Sequence, residues 1–72
     1  PILMEEVTGS DHEEISQIED IMLECGCDGT VMSGSGPTVF GLFSDENKAK
    51  NTENTLKARF DETFLTKIKN NF

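Results

Sequence analysis

Gly29-Thr30-Val31-Met32-Ser33-Gly34-Ser35-Gly36-Pro37-Thr38-Val39-Phe40-Gly41-Leu42-Phe43 is the stretch whose reading decides how this chain folds. Two runs rich in β-branched and aromatic residues, 28–33 and 38–43, flank Gly34-Ser35-Gly36-Pro37, so the segment reads as two antiparallel strands joined by a tight connection. Gly34 and Gly36 can take positive φ without a Cβ clash, which suits such a connection. In the second run both alternating sets are apolar or small: Thr38, Phe40 and Leu42 on one side, Val39, Gly41 and Phe43 on the other. A strand of that kind is expected to be covered by helices on one face and by a neighbouring domain on the other.

Upstream, residues 10–25 place Ile15, Ile18, Met22 and Cys25 at i, i+3, i+7 and i+10, an amphipathic helix. Ser10 is the expected N-cap with Glu13 three residues on as a capping box, and Gly26 the expected left-handed cap at the other end. Downstream, residues 45–60 open with Asp45 as a cap and carry Ala49, Thr52, Leu56 and Phe60 at helical spacing, with Lys57 and Arg59 at the end that favours cations. Thr63-Phe64-Leu65-Thr66-Lys67-Ile68-Lys69 alternates as a further strand, Phe64 and Ile68 on one face, Lys67 and Lys69 on the other. The order helix, strand, strand, helix, strand predicts an α+β domain, an antiparallel sheet with helices on one face. It is similar to a ferredoxin-like βαββαβ unit with its first strand missing or formed by residues 1–8, which read equally as a strand or as an irregular or helical lead-in.

The chain has 72 residues, of which 35% are hydrophobic, with five Phe and no Trp or Tyr, so a single small domain with a thin core is the ceiling. Charge is unevenly placed. Residues 1–36 carry nine carboxylates and no Lys or Arg, residues 37–72 carry five carboxylates and all six bases, and the net charge is -8. Without a basic stripe there is nothing to replace phosphate counterions, so nucleic acid and anionic membranes are excluded as expected partners. No apolar run reaches the roughly 18 residues of a membrane span, and the opening lacks the features of a signal peptide, so a cytoplasmic protein is expected. Cys25 and Cys27, one residue apart, match neither a CxxC nor a zinc pattern and are expected as free, partly buried thiols; with one His in the chain no metal site is expected.

Candidate chemistry narrows to Ser33, Gly34, Ser35, Gly36, Pro37 and Thr38. Glycines at alternate positions let backbone amides approach a phosphate, and the hydroxyls add donors, although the spacing alone equally fits a structural turn. The segment is neither a Walker loop nor GxGxxG, since no Gly-Lys-Ser/Thr follows and a strand stands where a helix should begin. His12 lies in an acidic turn with no accompanying nucleophile, the Glu13-Glu14 and Glu19-Asp20 pairs splay about 100° apart on a helix, and Cys25 and Cys27 lack a partnered base. No catalytic residue is expected in this chain.

Met32-Ser33-Gly34-Ser35-Gly36-Pro37-Thr38-Val39-Phe40-Gly41-Leu42-Phe43 closely resembles the third conserved motif of the GHMP kinases, and within them a kinase of the non-mevalonate isoprenoid pathway. Ile2-Leu3-Met4-Glu5-Glu6-Val7-Thr8, the helix ending Cys25-Gly26-Cys27, and the final helix and strand extend the resemblance over essentially the whole chain as the carboxy-terminal part of such an enzyme. One departure is Cys27, where a small alanine-like residue is usual. The resemblance implies a parent that uses ATP and Mg²⁺ to phosphorylate a small-molecule alcohol, with the ATP-cradling loop and the catalytic Asp and Lys in a preceding amino-terminal domain. Residues 1–72 are then one carboxy-terminal domain fragment of a two-domain kinase, inactive alone and binding no cofactor itself. Its partners are the ATP-binding domain and the small-molecule substrate, with Ser33–Thr38 lining the cleft near the transferred phosphate as positioning groups. A free-standing regulatory module of ACT type, dimerising through an exposed sheet edge, is the competing reading.

Overall fold

Ile2-Leu3-Met4-Glu5-Glu6-Val7-Thr8 forms a strand, β1 (Ile2–Thr8), in the computed structural model, which describes residues 2–32 and 37–68. Ile2–Thr8 therefore supply the first strand and are neither a helical nor an irregular lead-in. The remaining elements are α1 (His12–Glu24), β2 (Gly29–Met32), β3 (Thr38–Phe43), α2 (Glu46–Lys57) and β4 (Thr63–Ile68). The sheet order is β2-β3-β1-β4 with every neighbouring pair antiparallel. That is the split βαββαβ arrangement, in which each β-α-β crossover leaves room for one strand between its ends.

Register sets the two faces. Leu3, Glu5 and Val7 of β1 pair with Phe43, Gly41 and Val39 of β3, and this set faces the helices. From the helices come Ile15, Ile18 and Met22 of α1 and Ala49, Thr52 and Leu56 of α2, all buried, with Phe60 closing the layer. Gly41 owes its identity to this packing, since a Cβ there would stand 2.6 Å from Met22 Sδ. The opposite face carries Ile2, Met4, Glu6 and Thr8 of β1, Thr38, Phe40 and Leu42 of β3, Val31 of β2 and Phe64 of β4, and no described element covers it.

The caps differ in one place from expectation. The N-cap of α1 is Asp11, not Ser10: its carboxylate accepts from the Glu14 amide at 2.9 Å while Glu14 Oε1 accepts from the Ser10 amide at 2.6 Å. The box is thus shifted by one residue, because a carboxylate can serve the orphan amides as well as a hydroxyl. Gly26 does take the left-handed conformation, with φ 90°, and Asp45 caps α2 through the Asn47 and Lys48 amides.

Candidate functional site

The end of β2 and the start of β3 lie at the end of the sheet where β1 finishes, because Met32 pairs with Val39 and Thr8 with Thr38. Ser33, Gly34, Ser35 and Gly36 lie outside the described residues. Pro37 and Thr38 are placed. The Pro37 carbonyl accepts from the Gly9 amide at 2.8 Å, and the Thr38 and Thr8 hydroxyls are 3.3 Å apart on the uncovered side of the sheet. The same end gathers the start of α1, the end of α2 and the start of β4, the last tied in by a 3.1 Å bond from the Thr8 amide to the Glu62 carbonyl.

A cavity of about 470 Å³ opens beside this end, lined among others by Thr8, Gly9, Glu14, Arg59 and Glu62. Among the described residues Arg59 is its one cation, reaching Gln17 Oε1 at 3.3 Å, against the carboxylates of Glu14, Asp61 and Glu62. At the start of α1 the Glu14 amide donates to Asp11, and just before the helix the Ser10 amide donates to Glu14. Among the described residues no three His, Cys, Asp or Glu side chains converge on a site that could hold a metal ion.

One buried acid escaped the sequence reading. Glu5, at the centre of β1, is fully buried on the helix side between Gly41 and Leu65, and neither carboxylate oxygen has a hydrogen-bond partner among the described residues. Burial pushes its carboxyl up to about 8, the charge of Glu53 adding to the shift and Lys57 opposing it, so it is mostly protonated at neutral pH. Alternation over Leu3-Met4-Glu5-Glu6-Val7 was the available signal: a strand that buries Leu3 and Val7 must bury Glu5. Cys25 and Cys27 are free and half-buried, as expected, and burial raises the Cys27 thiol above its ordinary value, which argues against a reactive thiolate.

An open four-stranded antiparallel sheet in the order β2-β3-β1-β4 with two helices on one face defines the class. The chain belongs to the GHMP kinases: the family described as GHMP kinases C terminal matches residues 1–62. Among individual relatives, the 4-diphosphocytidyl-2-C-methyl-D-erythritol kinase of Pediococcus pentosaceus is 41% identical over 66 residues, covering 92% of this chain and 23% of that protein. The same kinase of Exiguobacterium sibiricum is also 41% identical over 66 residues, with the same coverage. A Staphylococcus epidermidis protein given that name provisionally is 45% identical over 65 residues, covering 90% of this chain. The chain thus spans about a quarter of the length of the curated relatives it matches, 23% in each of these three. No solved structure matches it. No described helix is long and apolar enough to cross a membrane.

Proposed function

We propose that this chain is the carboxy-terminal domain of a 4-diphosphocytidyl-2-C-methyl-D-erythritol kinase, a cytoplasmic enzyme of isoprenoid biosynthesis that transfers the γ-phosphate of ATP to an alcohol of that substrate. The carrying observation is 41 to 45% identity, over nine-tenths of the chain, to proteins bearing that name. ATP and Mg²⁺ are the cofactors of the whole enzyme and are bound outside this chain. Its own part is positioning. Ser33–Thr38 form the wall of the cleft, the backbone amides of the glycines approaching the transferred phosphate and the Thr38 and Thr8 hydroxyls, 3.3 Å apart, fixing the rim. Such groups orient reactants and screen the site from water without moving a proton. The regulatory-module alternative shares the fold, and membership of the kinase family speaks against it.

The test is product formation. A polypeptide of the relatives' length carrying this chain is given ATP, Mg²⁺ and 4-diphosphocytidyl-2-C-methyl-D-erythritol, and the phosphorylated product is measured by mass. Product from the long polypeptide and none from the 72-residue chain supports the reading. A folded long polypeptide that phosphorylates homoserine or mevalonate in preference overturns the choice of substrate.

A further inference from the structure

The face of the sheet away from the helices carries apolar side chains on every strand. Val31 of β2 and Phe64 of β4 are each 59% exposed, and Met4, Phe40 and Leu42 are half-buried between them. A contiguous exposed apolar surface of this kind marks an interface. At its centre stands one charge. Glu6 lies on β1, an inner strand, with Phe40 as its partner across β3 and Phe64 as its partner across β4, and it forms no ion pair with any described residue.

That charge selects the occupant. Two copies meeting through this face about a two-fold axis would drive two Glu6 carboxylates toward one another inside an apolar layer, and each copy already carries a net charge of -8. A cover of different chemistry avoids both costs, provided it brings a cation to Glu6. The relatives supply a source, since about three quarters of their length lies outside the matched region, which is 23% of each. We propose that the open face seats a segment from the remainder of the kinase polypeptide, apolar where it meets Val31, Phe40, Leu42 and Phe64, and presenting a Lys or Arg to Glu6. This rests on the reading of the chain as one domain of a longer kinase, and adds to it the surface of attachment and the chemistry of what attaches.

Hydroxyl-radical footprinting tests it with an internal control. Leu23 on α1 is exposed to the same extent as Phe64, 59% each, but lies in the helical layer. The molecule is a polypeptide of the relatives' length carrying this chain, taken in the fraction in which buried Phe43 resists oxidation. The expected result is that Phe64 oxidises about tenfold more slowly than Leu23, after allowance for intrinsic reactivity, as for a residue in an interface core. In the same molecule Glu6→Lys is expected to restore Phe64 oxidation, whereas Glu6→Gln restores it less. Equal oxidation of Phe64 and Leu23 overturns the proposal, as does a sedimenting dimer of the 72-residue chain that protects Phe64, which would assign the face to a second copy. Kinase activity measured on the same sample separates the two ideas. Activity with Phe64 unprotected defeats the surface alone, and protection without activity defeats the kinase reading alone.

Discussion

Glu5 and Gly41 face each other across β1 and β3, and both are explained by the helices above them. An acid whose folded pKa lies near 8 rather than 4.5 binds its proton more tightly folded than unfolded. Between those values the unfolded chain holds fewer protons, so stability falls as pH rises, by up to about 1.4 kcal/mol per pH unit. Urea unfolding at pH values from about 5 to about 8 is expected to show this decline, and Glu5→Gln, neutral throughout, is expected to flatten it. A wild-type curve that rises with pH over this window would contradict the burial of Glu5. At Gly41 the added methyl of Gly41→Ala meets Met22 Sδ at 2.6 Å in a packed layer, and a loss of about 1 to 3 kcal/mol is expected. The same change should cost less in a Met22→Ala background, a coupling that a double-mutant cycle in urea measures directly.

At the scale of elements, both helices begin on carboxylate caps. Asp45 accepts from the Asn47 and Lys48 amides at 2.8 and 3.2 Å, and Asp11 from the Glu14 amide at 2.9 Å. Asp45→Ala is expected to lower stability by about 1 kcal/mol, read as a shift of the urea midpoint with an unchanged slope. The α2 sequence, with Asn47, Asn51, Thr52, Asn54 and Thr55, has weak intrinsic helicity, so it depends on that cap and on its buried Ala49, Thr52 and Leu56. Those apolar positions at helical spacing, and the β-branched run of β3, were legible in the sequence because a single period dominates each. In β1 the period is obscured: Glu5 points in and Glu6 points out, so charge sits on both faces and the hydrophobic alternation is carried by Leu3 and Val7 alone. In β4 the alternation was legible but its sense was not. Thr63 is buried, its hydroxyl donating to the Phe60 carbonyl at 2.9 Å, while Phe64 turns to the open face.

For the whole molecule, the thin core and the uncovered sheet face have one origin. A single layer of helices on a four-stranded sheet leaves half of the apolar sheet surface to be buried by something else. Of the candidate site, register places Pro37 and Thr38 at the end of the sheet beside Thr8, while glycine spacing alone fits a structural turn as well as an anion cradle. The resemblance to the GHMP kinases supplied that expectation, and what the comparison shows is membership of the family. The most direct measurement is the steady-state kinetics of Gly36→Ala in a polypeptide of the relatives' length, with far-ultraviolet circular dichroism as the control for folding. A fall in kcat of about tenfold or more at unchanged helicity is the expected result for a wall that positions the transferred phosphate. An unchanged kcat in the folded variant would contradict the assignment of the turn to the reaction cleft.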